Sequence, residues 1–187
     1  MSSVVLVFGP IGSGKTSTCI DLVERLRSIK KNIGGILSKR VIQGGELMGY
    51  DCLDVSSGQV FPLVRLLSQV CGPDWFNFRD LKYAFSSSGF KQANRILMRS
   101  SKELNTPSVV FIDEFGWLEC AGLGLYPGIV RVVESLNNGS MVIIACRTEL
   151  VGAVEELLRG RVQNVLKCEA GDFEKLWKMI QGSISMC

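Results

Sequence analysis

The chain has 187 residues, of which 47% are hydrophobic and 21% are charged, and its net charge is +3. This composition is typical of a globular protein, and we expect one domain over residues 1–187 with a substantial core. No apolar run approaches the ~18 residues of a membrane-spanning helix, and no basic segment followed by an apolar one marks a secretory signal, so we expect a cytoplasmic protein without membrane partners.

Charge and residue usage narrow the partners and the chemistry further. The small positive charge suits an anionic ligand, and the lack of a basic run argues against a nucleic-acid partner. The sequence does not determine the oligomeric state, and a monomer is favoured. The chain has seven cysteines without C-x-x-C spacing and no histidine, so we expect no zinc site and mostly reduced core cysteines. Without histidine, a general base must be a carboxylate, or the chemistry must depend on positioning and electrostatics.

The chain begins with a predicted strand, a glycine-rich loop and a helix. Residues 4–8 form an apolar run typical of a buried parallel strand, and apolar residues recur at helical spacing from Leu22 to Ile29. Between them the sequence reads G-x-x-x-x-G-K-T, the P-loop pattern. The predicted phosphate-binding residues are Gly9, Pro10, Ile11, Gly12, Ser13, Gly14, Lys15, Thr16 and Ser17.

The residue types of this loop match what a triphosphate requires. Glycines let backbone N–H groups approach the phosphates closely, and the helix that follows directs its positive end at them. Lys15 is predicted to act in catalysis by placing its charge on the outer phosphates, and the Thr16 hydroxyl is predicted to bind Mg²⁺. A glycine-rich turn that contains Lys-Thr by chance is disfavoured, because strand, motif and helix occur together.

The segment after the first helix is predicted to insert an antiparallel hairpin. Residues 32–35 are interpreted as a turn, and strands are expected at 36–41, 47–55 and 59–64. The aromatic cluster of Trp75, Phe76 and Phe78 either covers a nucleotide base or packs under a loop, and the second interpretation is favoured. Serines 86–88 can cap a helix that continues towards Glu103.

Strands and helices alternate in the second half of the chain. Strands are predicted at 108–112, 141–146 and 162–166, and helices at 129–136, 151–158 and 172–180. This alternation indicates an α/β fold, in which a mostly parallel sheet is covered by helices on both faces.

The apolar strand at 108–112 ends in Asp113-Glu114. In a P-loop architecture, Asp113 is expected at the carboxyl end of a strand beside the first one, where it binds Mg²⁺ directly or through a water. Glu114 is the best candidate to orient or deprotonate an attacking water. By analogy, the acidic pair also favours the hydrolytic division of P-loop proteins, in which another strand separates the two motif strands. The alternative is a strand-end turn without function.

Two arginines are further candidates. Arg147 ends the strand at 141–146, at the same edge of the sheet as Asp113, and Arg161 follows a helix end at Gly160. Either could offset charge on the transferring phosphoryl group in cis, or be a solvated surface residue.

Three segments, at 9–16, 35–50 and 112–119, resemble those of a known family in the same order. They are similar to the small P-loop nucleoside triphosphatases of the cancer-related nucleoside-triphosphatase type, which are also described as nucleotide-kinase-like. The resemblance implies a RecA-like core and Mg²⁺-dependent hydrolysis of ATP, GTP and other triphosphates. Arg161 matches a family arginine, and Glu119 a family position of open role. Besides the P-loop, the residues implied to line the nucleotide are Val109, Val110, Phe111, Ile112, Asp113, Glu114, Phe115 and Gly116.

The hairpin departs from the family pattern. It has Lys39-Arg40 where the family usually has an acidic residue followed by an arginine, which leaves substrate range and any hairpin contact open. Two other functions stay open beside hydrolysis. A kinase usually has an arginine-rich lid, which the sequence does not show. A nucleotide-driven switch would hydrolyse slowly.

Overall fold

The computed structural model describes residues 3–104 and 108–184. The strands are β1 (Ser3–Phe8), β2 (Asn32–Gln43), β3 (Glu46–Asp54), β4 (Val60–Leu66), β5 (Trp75–Asn77), β6 (Tyr83–Ser86), β7 (Ser108–Phe115), β8 (Met141–Cys146) and β9 (Asn164–Glu169). The helices are α1 (Lys15–Ser28), α2 (Ser87–Glu103), α3 (Trp117–Cys120), α4 (Tyr126–Glu134), α5 (Val151–Leu158) and α6 (Phe173–Ile184).

The strands form one mixed sheet in the order β5-β6-β4-β3-β2-β7-β8-β1-β9. One half of the sheet is parallel and consists of the five adjacent strands β2, β7, β8, β1 and β9. The four remaining strands, β3, β4, β6 and β5, extend the sheet from β2 by antiparallel pairing. The predicted α/β class with a mostly parallel sheet and an antiparallel insert is thus confirmed. Strand β8 separates β1 from β7, as the analogy predicted, so the strand of Asp113 is not beside the first strand.

Side chains of β1 alternate between two hydrophobic clusters, because successive residues of a strand point to opposite faces. Val4 and Leu6 belong to a cluster formed with residues of α2, α4 and α5. Val5 and Val7 belong to a second cluster, which includes residues of α1 and α6. Helices therefore cover both faces of the sheet, as predicted.

Residues 32–35 do not form the predicted turn but belong to β2. The first part of β2 pairs in parallel with β7, and the rest forms the hairpin with β3. Gly35 has a φ of 92°, and a Cβ there would lie 2.0 Å from the carbonyl oxygen of Phe111. The glycine thus serves the close approach of two strands, which the sequence does not distinguish from a turn.

Strands β5 and β6, which were not predicted from the sequence, form a short antiparallel hairpin. The rings of Phe76 and Phe85 lie 5.7 Å apart across it, and Phe76 and Phe78 pack against the first cluster. The favoured core interpretation of the aromatic residues is therefore confirmed for these two. Serine capping of α2 is also observed, since the Ser86 hydroxyl accepts a hydrogen bond from the Gly89 N–H at 2.9 Å.

Cys19, Cys52, Cys146 and Cys168 are buried as free thiols, while Cys187 lies outside the described residues. Within residues 3–104 and 108–184, none of the helices has the length and apolar character that crossing a bilayer requires.

Candidate active site

The P-loop connects β1 to α1, and the helix begins at Lys15. Lys15 is buried, and its Nζ donates hydrogen bonds to the carbonyl oxygens of Gly9 at 3.1 Å and Pro10 at 3.0 Å. The side chain therefore folds back over its own loop. This contact fixes the ammonium group at the mouth of the loop, where the backbone N–H groups and the positive end of α1 also favour an anion.

Asp113 is held at the end of β7 by Ser38 of β2. The Ser38 N–H donates to Asp113 Oδ2 at 3.1 Å, and the Ser38 hydroxyl donates to the Asp113 carbonyl oxygen at 2.5 Å. Burial of the Asp113 carboxyl and, to a smaller extent, the negative charge of Glu114 together raise its pKa to about 7. The Thr16 hydroxyl, the Ser38 N–H and the Lys15 ammonium act in the opposite direction.

The other oxygen of this carboxyl suits a metal ion. Asp113 Oδ1 is buried and has no hydrogen-bond partner among the described residues. A hard cation would satisfy this oxygen, and the neighbouring Thr16 hydroxyl is a second oxygen ligand. In the part of the chain that the structure describes, no group of three or more His, Cys, Asp or Glu could hold a metal ion. Two protein oxygens completed by phosphates and water fit Mg²⁺, which usually keeps such mixed ligands.

Glu114 lies between two cationic side chains. Its Oε1 accepts a hydrogen bond from Arg147 Nε at 3.4 Å, and its Oε2 lies 4.0 Å from Lys15 Nζ. Arg147 comes directly after β8, and Phe115 pairs with Cys146 in the parallel register of β7 and β8. The two side chains meet because parallel neighbouring strands end at the same edge of the sheet. Each is about 30% exposed, so the carboxylate remains accessible to water or substrate.

These groups surround a cleft that we call the phosphate cavity. Its lining includes Ile11, Gly12, Gly14, Lys15, Thr16, Ser17, Ile20, Glu114 and Arg147, and three residues of the β2–β3 hairpin, Lys39, Arg40 and Tyr50. The Arg40 guanidinium lies close to the P-loop. A Cβ atom added to Gly12 would be 3.8 Å from its Nη2. The cavity therefore collects four cationic side chains around one carboxylate, which favours a polyanion.

Lys39 and Arg40 were not predicted as site residues from the sequence. The signal that could have found them is the length of β2. A strand of 12 residues whose first part pairs with the parallel core must extend beyond the carboxyl edge, where the P-loop lies. The sequence interpretation divided this strand into a turn and a shorter strand, which concealed the extension.

Arg161 does not lie at this site. It comes three residues before Asn164, which pairs with Ser3 at the amino end of β1, whereas the P-loop follows the carboxyl end. A six-residue strand separates these edges by about 20 Å. The Arg161 Nη1 instead donates to the Leu157 carbonyl oxygen at 2.7 Å, at the end of α5. This corrects the prediction of a catalytic role: α5 connects two parallel strands and must end at the opposite edge of the sheet.

The segment implied to line the nucleotide is mostly buried in the sheet. Val109, Val110, Phe111 and Ile112 are at most 1% exposed, and Phe115 packs in the core. These five side chains cannot contact a nucleotide, which corrects the implied lining; they position Asp113 through the strand. Glu114 and Gly116 do line a cavity. In the P-loop, the contribution of Gly9 and Pro10 is to accept hydrogen bonds from Lys15.

Glu119, whose role the resemblance left open, stabilises the loop that follows Glu114. It is buried, its Oε2 accepts from the Gly116 N–H at 2.9 Å, and its Oε1 accepts from the Leu125 N–H at 2.8 Å. Burial raises its pKa, while the two N–H groups act against that shift. Glu119 is thus a positioning residue for the loop from β7 to α4.

The sequence model of the NTPase family matches residues 4–180. The chain belongs to this family. It is 31% identical to a bovine (Bos taurus) cancer-related nucleoside-triphosphatase homolog, over 77% of the chain and 74% of that relative. It is 28% identical to the mouse (Mus musculus) homolog, over 86% of the chain and 85% of that relative. The family predicted from the three segments is therefore confirmed.

Two solved structures share the fold. The solution structure of a human cancer-related nucleoside triphosphatase superposes with a TM-score of 0.72 at 23% identity, covering 98% of this chain and 99% of that one. The crystal structure of THEP1 from the hyperthermophile Aquifex aeolicus superposes with a TM-score of 0.70 at 19% identity, covering 97% and 99%. At these identities the two structures support the P-loop NTPase fold of this family member.

Proposed function

We propose that the chain hydrolyses nucleoside 5′-triphosphates, ATP and GTP among them, to the diphosphate and phosphate, with Mg²⁺ as cofactor. The observation that carries this proposal is the position of Glu114. Its carboxylate lies 4.0 Å from the P-loop lysine and 3.4 Å from Arg147, at the edge of the sheet where Asp113 presents an unpaired oxygen. The names of the relatives support the same reaction.

Each group has a distinct part in the reaction. Glu114 orients a water against the γ-phosphorus and takes its proton as the new P–O bond forms. Lys15 and Arg147 offset the charge that accumulates on the phosphoryl oxygens and on the departing diphosphate. Thr16 and Asp113 would hold Mg²⁺, which supplies neutralising charge to the phosphates when bound. The buried β7 strand keeps Asp113 and Glu114 in place.

Phosphate release without any acceptor tests the reaction directly. The purified chain is incubated with ATP, GTP, CTP or UTP, with Mg²⁺ or with excess chelator, and free phosphate is measured. We expect release that depends on Mg²⁺. Full hydrolysis in chelator would contradict the cofactor, and a very low rate with every triphosphate would instead indicate a nucleotide-driven switch.

Substitution of Asp113 by Asn is expected to raise the Mg²⁺ concentration needed for half-maximal turnover by roughly tenfold or more, since a charged oxygen ligand is lost. Thr16→Ala should shift the requirement in the same direction. A Mg²⁺ titration of phosphate release measures the effect. Asp21→Asn, at an exposed position on α1, is the matched control and should titrate like the wild type. An unchanged requirement in both site variants would refute the assigned ligands.

Removal of the Arg40 side chain is expected to lower kcat/KM for triphosphates by roughly tenfold or more, because a cation is lost from the phosphate cavity. Arg161→Ala is the matched control, since this arginine lies at the other edge of the sheet, and it should change kcat/KM by no more than about twofold. Steady-state kinetics on both variants measures the difference. The reverse ranking would return the catalytic role to Arg161.

A further inference from the structure

The Tyr50 side chain lies at the site without a part in the proposed reaction. It lines the phosphate cavity, and it is one of four residues that also line an adjoining cavity. The other three are Thr16, Glu114 and Arg147. Each of those three has a proposed task, which is to bind Mg²⁺, to activate water or to offset charge. Tyr50 is therefore the member of this group whose chemistry is still unassigned.

Strand pairing holds the Tyr50 ring on the face of the hairpin that contacts the site. Tyr50 of β3 lies opposite Arg40 of β2 in the antiparallel register, and directly opposite residues carry their side chains on the same face. Ser38, two residues before Arg40, shares this face, and its hydroxyl donates to the Asp113 carbonyl oxygen. The Arg40 guanidinium lies close to the P-loop. Tyr50 is thus on the same face as two residues that contact β7 and the P-loop.

The backbone and the ring of Tyr50 are both restrained by neighbours. Arg65 of β4 donates from Nη1 to the Tyr50 carbonyl oxygen at 3.0 Å and also pairs with the Asp51 carboxylate. The Tyr83 ring packs against the Tyr50 ring edge-on, with the centroids 6.4 Å apart. A hydroxyl on a ring held in this way needs little reorganisation when it meets a ligand.

The Tyr50 hydroxyl is available as a hydrogen-bond donor. Among the described residues none is hydrogen-bonded to it, although the side chain is half-buried. Burial raises the pKa of Tyr50, the neighbouring Tyr83 and Glu114 add to the rise, and Arg40 and Arg147 act against it. The phenol therefore keeps its proton at neutral pH, so it can donate but cannot act as a base. At a site lined by cations, its natural acceptor is an anionic oxygen.

We propose that the Tyr50 hydroxyl donates a hydrogen bond to a γ-phosphoryl oxygen of the bound triphosphate during hydrolysis. The proposal rests on the triphosphate hydrolysis proposed above and adds a catalytic residue to it. The phenol forms no covalent bond and keeps its proton. Glu114 takes the proton of the attacking water, and the bond from the γ-phosphorus to the β–γ bridging oxygen breaks. Tyr50 stabilises the phosphoryl oxygens together with Lys15 and Arg147 as their charge redistributes.

Removal of one oxygen atom tests this assignment, because Tyr50→Phe keeps the ring and its packing. We expect kcat to fall by roughly 10- to 100-fold, less than for a fully enclosed oxyanion donor because the site is open to water. KM should change by no more than about threefold, since the contact matters most in the transition state. Tyr83→Phe and Tyr126→Phe are the matched controls, because neither tyrosine is among the lining residues of the phosphate cavity. Both should keep kcat within about twofold of the wild type.

Equilibrium binding locates the contact without turnover. ADP with Mg²⁺ and aluminium fluoride mimics the diphosphate together with the transferring phosphoryl group, whereas ADP alone lacks that group. Tyr50→Phe should weaken binding of the fluoride complex by about the same factor as kcat and leave the affinity for ADP unchanged. Equal affinity of the wild type and Tyr50→Phe for the complex would overturn the proposal, as would wild-type kcat in Tyr50→Phe.

Two further outcomes separate this proposal from its neighbours. Wild-type kinetics in Tyr50→Phe together with a raised KM in Tyr50→Leu would assign the ring to stacking on the nucleotide base and overturn the role of the hydroxyl. A wild type that binds the fluoride complex but releases no phosphate from any triphosphate would contradict the proposed hydrolysis. In that case the difference in affinity for the complex still decides whether Tyr50 contacts the γ-phosphoryl position.

Discussion

Replacement of Glu114 by Gln should lower single-turnover hydrolysis by roughly 10²–10⁴, the usual contribution of a general base. The amide keeps the shape of the side chain but cannot take a proton from water. Nucleotide binding should persist, since the ground-state contacts come from the P-loop and the metal ligands. The measurement pairs single-turnover phosphate release with equilibrium nucleotide binding for the wild type and the variant.

The surroundings of Glu114 make this variant a sharp test. Arg147 donates to Oε1 of Glu114, and the amide oxygen of Gln can still accept that bond, so the local structure should be retained. Glu149→Gln is the matched control, because this exposed carboxylate lies two residues after Arg147 but is not among the lining residues of the phosphate cavity. A Glu114→Gln chain that binds and hydrolyses like the wild type would assign the base to another group. Glu119 is the next carboxylate, but both of its oxygens already accept backbone hydrogen bonds.

Substitution of Lys15 by Ala is expected to weaken triphosphate binding and to reduce turnover by roughly 10³ or more, because the charge nearest the outer phosphates is removed. The fold should survive, since the P-loop backbone is also held by α1 and β1. Removing the ammonium leaves the carbonyl oxygens of Gly9 and Pro10 without this donor, so a loss of stability of about 1 kcal/mol is expected.

Turnover, nucleotide binding and thermal unfolding of Lys15→Ala measure these effects together. Lys91→Ala, at an exposed position on α2, is the control for loss of a lysine and should match the wild type in all three. Wild-type turnover in a folded Lys15→Ala chain would remove the P-loop from the proposed site.

The sequence was sufficient for the features that local residue order determines. Gly9 to Thr16 lie within one continuous segment, so an apolar run before them and a helical repeat after them specify the strand-to-helix turn. Asp113 and Glu114 follow a buried apolar run in the same way, and parallel strands place their carboxyl ends at one edge. The separation of β1 from β7 by β8 was accessible by analogy, and the topology agrees with it.

Tertiary structure decided where residues from different segments meet. Lys39 and Arg40 reach the phosphate cavity because β2 continues beyond the parallel core, and Gly35 permits this through its close approach to Phe111. From the sequence, Arg161 was a candidate of the same kind as Arg147. However, α5 runs back from the carboxyl ends of the parallel strands to their amino ends, so Arg161 lies at the opposite edge of the sheet from the site.

A cavity beside the phosphate cavity is the clearest case of what the sequence alone could not decide. Its walls come from β3, β4, β6, α2 and the segment after β7, and include Phe78 and Leu81 of the connection between β5 and β6. Local order determined that this chain has a phosphate site, because that site is built on one continuous turn. Pairing between distant strands determined which other side chains line the cavities around that turn, because strand register is set by long-range packing that no short window of residues contains.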